Sequence, residues 1–379
     1  MVVAILVGVM ANYYLDKLNY GDVQGSVSDT IDAEEEILFD VSAFESMGGE
    51  DGLFVSSDFE YSGDEDWLND LPTQSNKKTK SKIRDIIAGA GNVIDENVSQ
   101  QIQQQANAEI QENIKSDGVW YSDSVYNLLI IGYDAGAAEQ VMFEGATLPR
   151  SDAILIASIN KVKKTVKIVS LSRATYVAIP GHGNKIINTA HAYGGAKTLV
   201  ETIELNYKIR IDRYISVDFK GFEEIINALG GVTVEMSKVE ASFAFYQNKS
   251  AGKYRMNGHQ ALRYVRLRKT DSDRQRTGRQ RKVLTAIAGQ AKTMNLSKKL
   301  SFMDTVLPFV TTNFTKAELI DKAMELETYL SWTMTQDIIP HEAVKLTMRD
   351  GKEVIILDWE DTTDYVHSIL YSGVTVKKK

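Results

Sequence analysis

The sequence predicts an α/β domain in which helices pack against a central sheet. From Tyr126 onward, short apolar runs rich in β-branched residues alternate with longer segments of helical periodicity, and this alternation is typical of layered α/β folds. The clearest helix is predicted at 219–229, where apolar residues recur at steps of three and four. The chain has 379 residues, 43% of them hydrophobic, and can therefore form a large core.

Five strands and four helices are predicted in this part of the chain. The strands are expected at 128–131, 154–159, 166–171, 214–217 and 232–234, and the helices at 192–205, 219–229, 276–294 and 316–330. Residues 95–114 precede them and are rich in Gln. Their isoleucines lie at near-helical spacing, which predicts a surface helix.

The N-terminal run 1–15 is apolar and carries no charge. It is shorter than the roughly 20 residues that a spanning helix needs, and it lacks the basic start of a secretory signal. From these residues alone, both the outer end of a membrane anchor and a buried N-terminal element remain open.

The net charge of −8 conceals an uneven distribution. Residues 22–70 contain 16 acidic residues and no Lys or Arg, whereas the rest of the chain has 35 acidic and 43 basic residues. The composition of 21–70 is that of a disordered acidic spacer, although its scattered apolar residues leave room for docking onto the basic body. The chain has no cysteine, which excludes disulfides, thiolate metal sites and cysteine nucleophiles.

Residues 254–281 are dense in arginine. They read YRMNGHQALRYVRLRKTDSDRQRTGRQR and contain eight Arg. Guanidinium groups stay charged and bind phosphate oxygens in pairs of hydrogen bonds, whereas a merely solvated basic face would use Lys as often and interleave Glu. The block therefore favours phosphate binding. A nucleic-acid groove is the competing interpretation. Such a groove needs aromatic side chains that stack on nucleobases, and only two aromatic residues lie among these arginines.

Spacing within this block indicates which side chains lie together. Arg266 and Arg268 are two residues apart and would point the same way in a strand. A second group has helical spacing and would share one helix face: Asp273, Arg276 and Gln280, with Arg279 beside them. Asp273 could cap that helix, whose N-terminal amides would add to an anion site.

Charged residues also mark the ends of three predicted strands. Asp134 follows the first strand, Arg150 and Asp152 immediately precede the second, and Arg173 follows the third. Sites in α/β sheets lie at the carboxyl ends of strands. Two carboxylates with substrate phosphates form a usual ligand set for Mg²⁺.

Taken in order, these segments resemble the LytR-CpsA-Psr family. The resemblance covers about 120–300, and the RxR…DxxRxxRQ block is specific by itself. The matching stretches are NLLIIGYD, RSDAILIASI, VSLSRATYVAIPG, IINTAHAYGG, ISVDFKGFEEIINALGGVTV and YRMNGHQALRYVRLRKTDSDRQRTGRQRKVL.

The resemblance implies an enzyme of cell-wall assembly on the outer face of the bacterial membrane. Such a phosphotransferase moves a glycopolymer from an undecaprenyl-pyrophosphate carrier to the C6 hydroxyl of muramic acid in peptidoglycan. It implies an α/β/α layered sheet enclosing a long apolar polyprenyl pocket, a single-pass anchor ending in 1–15, and no nucleic-acid partner. The chain then divides into this anchor, an acidic and Gln-rich extension (16–118), a catalytic core (119–300) and a C-terminal part (301–379).

The resemblance also assigns roles to individual residues. Asp134 and Asp152 match the carboxylates that hold Mg²⁺ or Mn²⁺. The pyrophosphate-binding shell comprises Arg150, Arg173, Arg266, Arg268, Arg276, Arg279 and Gln280. The catalytic set is Asp273, Arg173, Arg268 and Arg276, with Asp273 either orienting the arginines or accepting the proton of the acceptor hydroxyl.

The chain departs from the family pattern next to Arg173. The family's usual Pro-Arg-Asp reads Ser172-Arg173-Ala174 here, and loss of that aspartate could weaken the site. This loss leaves open a polyprenyl-phosphate-binding protein without transfer activity. The arginine block leaves open a membrane-attached transcriptional regulator that contacts nucleic acid. The loop 135–149 is also longer than is usual in the family.

Overall fold

The computed structural model describes residues 86, 96–116, 118–135, 145–267, 273–294, 298, 301–302, 305–315, 318, 322, 325, 328–341, 344–347 and 353–379. The predicted membrane anchor, the acidic segment 21–70 and Arg268 lie outside the described residues. Most of the helix predicted at 316–330 and the middle of the loop 135–149 do so as well.

The described chain alternates strands and helices. The helices are α1 (Glu96–Lys115), α2 (Asn188–Tyr207), α3 (Phe219–Ala228), α4 (Lys238–Phe245), α5 (Gly258–Arg266), α6 (Asp273–Lys292) and α7 (Trp359–Leu370). The strands are β1 (Trp120–Tyr121), β2 (Val125–Tyr133), β3 (Ser151–Asn160), β4 (Thr165–Leu171), β5 (Tyr176–Ile179), β6 (Gly183–Ile186), β7 (Arg213–Asp218), β8 (Val232–Met236), β9 (Gly252–Met256), β10 (Val310–Thr312), β11 (Thr333–Ile339), β12 (Val344–Thr347), β13 (Glu353–Ile356) and β14 (Lys377–Lys378).

Six strands form the central sheet, in the order β10-β7-β2-β3-β4-β11. β3 runs antiparallel to both β2 and β4, whereas β7 is parallel to β2 and β11 is parallel to β4. The carboxyl ends of β2, β4, β7 and β11 therefore meet the amino end of β3 at one edge. Both outer strands come from the C-terminal part of the chain, so residues beyond 300 contribute to this sheet.

The two faces of the sheet bury alternate residues of each strand, as strand geometry requires. Leu128 and Leu155 belong to the core beneath one face, and Leu129 and Ile156 to the core beneath the other. Because both faces are apolar, the sheet needs a helical layer on each side.

Each helical layer comes from different parts of the chain. α3, α5 and α6 cover the first face, whereas α1, α2 and α7 cover the second. The isoleucines that predicted α1 are buried against the second face, with Ile102 fully inaccessible to solvent. This confirms the predicted α/β/α architecture. Within the described residues, no helix combines the length and apolarity needed to cross a membrane.

The five predicted strands are all present, and most are longer than expected. The strand assumed for Arg266 and Arg268 was wrong, because Arg266 is the last residue of α5. Asn257 caps that helix: its side chain accepts from the Gln260 amide, and the Gln260 side chain accepts from the Asn257 amide. The second strand, predicted at 154–159, begins three residues earlier at Ser151, so Asp152 lies inside β3 and does not precede it.

Candidate functional site

Charged residues from separate strands converge at one edge of the sheet. Asp134 directly follows β2, Asp218 ends β7, and Arg173 lies two residues beyond β4. Asp152 is the second residue of β3, whose opposite direction brings its start to the same edge. The sheet topology therefore collects four residues that are far apart in sequence.

Two ion pairs link the carboxylates to arginines at this edge. Arg173 Nη1 lies 2.8 Å from Asp152 Oδ1, and Arg266 Nη2 lies 3.5 Å from Asp134 Oδ2. The guanidinium of Arg266 also lies over the ring of Phe219, 4.6 Å from its centroid. Both carboxylates thus lie among positive groups, in a setting suited to anions.

The first turns of α6 complete this cluster. Arg276 is buried and lines the neighbouring cavity. Gln280 donates from Nε2 to the backbone carbonyl of Asp152 at 3.4 Å, and Arg281 donates from Nη1 to Ser170 Oγ at 2.8 Å. The predicted helical face of Arg276 and Gln280 is therefore present. The first turns of α6 contact the start of β3 and the end of β4.

Arg279 occupies a different environment from the other predicted phosphate ligands. Its Nη2 donates to the Leu267 carbonyl at 2.6 Å, and Nη1 lies 3.6 Å from Glu240 Oε1. The side chain is only 2% exposed and is not among the cavity-lining residues. Burial and the charge of Glu240 raise the pKa of neighbouring Tyr264. Arg279 thus holds α4, α5 and α6 together.

An apolar cavity of about 1040 Å³, its mouth included, lies between the first face of the sheet and α3, α5 and α6. Its apolar walls include Leu155, Ile215, Phe222, Ile225, Leu262, Val265, Leu284 and Ile287. The polar lining is concentrated at the end where Asp152, Arg266, Arg276 and Gln280 lie. A ligand with a long apolar tail and an anionic head fits this polarity.

Sequence reasoning missed the residues that form the walls of this cavity. Phe219, Phe222 and Ile225 lie on α3, whose apolar periodicity predicted the helix but not its place in the cavity wall. The usable signal was the placement of Phe219 immediately after a strand that ends at the site. Asp218 was also missed; its side chain caps α3 by accepting from the Gly221 amide at 2.6 Å.

Three predicted site residues lie outside the cavity lining or have side chains outside the described residues. Arg150 directly precedes β3, is partly exposed and is absent from the cavity lining. Asp273 is the first residue of α6, but its side chain lies outside the described residues, as does all of Arg268. In the part of the chain that the structure describes, no group of three or more His, Cys, Asp or Glu residues is arranged to hold a metal ion.

The chain matches the model of the LytR_cpsA_psr family over residues 87–366. It is 33% identical over 209 residues to the polyisoprenyl-teichoic acid–peptidoglycan teichoic acid transferase TagT of Bacillus subtilis, covering 49% of this chain and 64% of TagT. It is 35% identical over 173 residues to the corresponding transferase TagU of Enterococcus faecalis, covering 45% of this chain and 55% of TagU. The chain thus spans somewhat more than half the length of these relatives.

Solved structures show the same fold. The crystal structure of B. subtilis TagT is 26% identical, with a TM-score of 0.52, over 66% of this chain and 92% of that one. A structure of TagT bound to LI-WTA has the same identity and coverage, with a TM-score of 0.53. The family match covers well over half of the chain, and the fold agrees with it. The chain belongs to the LytR-CpsA-Psr family.

Proposed function

We propose that this protein is a phosphotransferase that moves a glycopolymer from an undecaprenyl-pyrophosphate carrier to the C6 hydroxyl of muramic acid in peptidoglycan. The observation that carries the proposal is the cavity with apolar walls and an arginine-rich end. The names of its relatives, which are teichoic acid transferases, support the same class of reaction.

The two ends of the cavity match the two parts of the carrier. A polyprenyl tail gains free energy by leaving water, about 0.8 kcal/mol for each buried CH₂ group. The head carries two phosphates, which Arg266, Arg276 and Gln280 can bind at the polar end. A soluble sugar nucleotide would use the polar end but leave the apolar walls uncovered.

In the proposed reaction, the acceptor hydroxyl oxygen attacks the phosphorus that bears the glycan. A new P–O bond forms, the bond to the bridging oxygen breaks, and undecaprenyl phosphate leaves with the electron pair. Arg173 and Arg276 stabilise the charge that develops on the phosphates. We assign acceptance of the hydroxyl proton to the carboxylate of Asp273. No covalent protein intermediate is required, as in other phosphoryl transfers.

A divalent cation, Mg²⁺ or Mn²⁺, is part of the proposal. Asp134 and Asp152 would hold it, because two carboxylates from neighbouring strand ends offer the oxygen ligands that these ions prefer. The fit depends on substrate phosphate oxygens for the remaining ligands. When bound, the ion would neutralise charge on the pyrophosphate.

We place the catalytic part on the extracellular side of the cell membrane, attached by a single N-terminal anchor. The apolar run 1–15 and a lipid-linked substrate support this placement. The anchored catalytic part would then act at the membrane surface, where the lipid carrier and the peptidoglycan meet.

Release of polyprenyl phosphate from a lipid-pyrophosphate glycan, with a peptidoglycan fragment as acceptor, tests the function. We expect divalent-metal-dependent release by the wild-type chain and at least a hundredfold lower turnover in Asp134→Ala and Arg268→Ala. Arg213→Ala serves as the matched control, because Arg213 pairs with Glu318 near the start of β7, away from the cavity. Unchanged turnover in both site variants would refute the proposal.

A binding protein without transfer activity is the second candidate, and Ala174 is the observation that favours it. Tight binding of polyprenyl phosphate with no turnover under any metal would support it. The ion pair between Arg173 and Asp152 argues for the enzyme, because Arg173 is already oriented without an aspartate at 174.

A further inference from the structure

Helix α2 is broken near its start, where it contacts the segment that leads into β3. Gly194 and Gly195 have non-helical backbone angles, and Gly195 has a φ of 66°, which favours glycine. The break leaves the Ala192 carbonyl available to another segment. It accepts the amides of Thr147 at 2.9 Å and Leu148 at 3.1 Å.

His191 makes a second contact with the same segment. Its Nδ1 lies 2.7 Å from the carbonyl oxygen of Pro149. A carbonyl can only accept, so Nδ1 carries the proton. The side chain is buried, and this burial lowers the pKa of His191, which the hydrogen bond to Pro149 partly offsets.

The same imidazole packs against the end of the neighbouring strand. Its ring centroid lies 5.0 Å from that of Tyr133, the last residue of β2. Tyr133 is followed by Asp134, and Pro149 is followed by Arg150, Ser151 and Asp152. One buried side chain therefore contacts the residue immediately before Asp134 and the residue three positions before Asp152.

We propose that His191 is a positioning residue that fixes the segment 147–150, immediately before β3, against the end of β2. Its Nδ1–H holds the Pro149 carbonyl, its ring supports Tyr133, and the break at Gly194 and Gly195 supplies the Ala192 carbonyl as a second anchor. Without these contacts, Arg150 and the residues before it lose their fixed placement relative to β2, whereas Asp152 is still held by the pairing of β3 with β2. The contacts of His191 do not depend on the proposed function, whereas their consequence for pyrophosphate binding rests on it.

The geometry predicts which substitutions keep this role. Asparagine can place an amide N–H close to the position of Nδ1 and can still donate to Pro149. Phenylalanine fills the same space beside Tyr133 but has no donor. His367→Phe is the matched control, because His367 is also partly buried, approaches a backbone carbonyl (Lys208, 3.1 Å) and stacks on an aromatic ring (Trp120, 4.2 Å).

Hydrogen–deuterium exchange on the full chain tests the positioning directly and needs no substrate. We expect His191→Phe to speed exchange of the Thr147 and Leu148 amides about tenfold, because loss of the hydrogen bond from Nδ1 to the Pro149 carbonyl loosens the segment whose amides bind the Ala192 carbonyl. His191→Asn and His367→Phe should leave these amides protected. Equal protection in His191→Phe and wild type would overturn the proposal, as would loss of protection in His191→Asn equal to that in His191→Phe.

Binding of geranylgeranyl pyrophosphate, compared with geranylgeraniol, adds a functional readout. In His191→Phe we expect about tenfold weaker binding of the pyrophosphate and unchanged binding of the alcohol, which uses only the apolar walls. His191→Asn should restore pyrophosphate binding. Equal weakening by His367→Phe would show a general loss of stability and contradict the positioning role. If wild type fails to prefer the pyrophosphate, the proposed function fails, while the exchange result still decides the role of His191.

Discussion

Arg173 donates from Nη1 to Oδ1 of Asp152 at 2.8 Å, which joins the end of β4 to the start of β3. The next residue, Ala174, has the opposite surroundings: it packs against the apolar core of the second face. Its carbonyl accepts the Ile355 amide at 2.9 Å. The alanine that departs from the family pattern is therefore part of the packing, while Asp152 provides the partner for Arg173.

Restoring the family aspartate at position 174 should cost stability without improving transfer. In Ala174→Asp, a carboxylate is added beside an apolar core, at a cost of about 1–3 kcal/mol. Turnover should not rise, because Arg173 already has a carboxylate partner. Thermal unfolding and polyprenyl phosphate release measure the two effects, with Ala174→Ser as the size control. A several-fold gain in turnover would show that the missing aspartate limits activity.

Filling the apolar cavity should select against long lipid tails. Leu284→Trp adds volume to the wall formed by α6 and should weaken binding of a polyprenyl pyrophosphate about tenfold or more, since overpacking costs about 1–3 kcal/mol. Inorganic pyrophosphate, which needs only the polar end, should bind as before. Calorimetry with both ligands measures this difference. Val162→Trp, on an exposed turn, should change neither affinity, and equal loss for both ligands would argue against a tail-binding cavity.

Substitution of Arg279 should destabilise the fold rather than remove a phosphate ligand. Arg279→Gln leaves Glu240 without its buried partner and the Leu267 carbonyl with a weaker donor. Removing one partner of a buried pair costs about 3–5 kcal/mol. Chemical denaturation should show this loss, whereas Arg281→Gln, in a partly exposed setting, should lose much less. Normal stability with abolished pyrophosphate binding would instead return Arg279 to the phosphate-binding shell.

Glu204 should make the protein less stable as the pH rises towards neutrality. Burial raises the pKa of Glu204 to about 7, although its carboxylate accepts the Ile211 amide at 2.7 Å. The folded protein therefore binds more protons than the unfolded chain between the usual glutamate pKa and about 7. Stability falls across that window, by at most about 3 kcal/mol.

Glu204→Gln tests this effect because the amide oxygen can still accept from Ile211. The variant should be more stable than wild type above pH 7 and should have a flatter stability profile below it. Urea denaturation across pH 4–8.5 measures the difference. Glu235→Gln, at an exposed position on β8, is the control. A wild-type profile in Glu204→Gln would show that another group titrates there.

The acidic segment should act as a spacer that does not compete for the arginines. Deleting residues 22–70 removes 16 acidic residues, and we expect the same turnover as full-length protein at about 0.02 M and about 0.5 M salt. A gain confined to low salt would show competition, because only a charge interaction is screened in this range. A length-matched Gly/Ser replacement separates the effect of charge from that of length.

The sequence by itself determined the α/β/α architecture and proposed the residues of the candidate site. Period-two and period-3.6 patterns depend on local geometry, so the strands and the helix of Arg276 and Gln280 could be predicted. The order of motifs identified the family. Only the tertiary structure decided which predicted residues share an environment. It showed that Arg266 is the last residue of a helix and that Arg279 is buried between three helices. It also showed that His191 contacts the segments next to Asp134 and Asp152. These relationships depend on which strands are neighbours and where a helix breaks, and such long-range packing leaves no periodic signal in a single sequence.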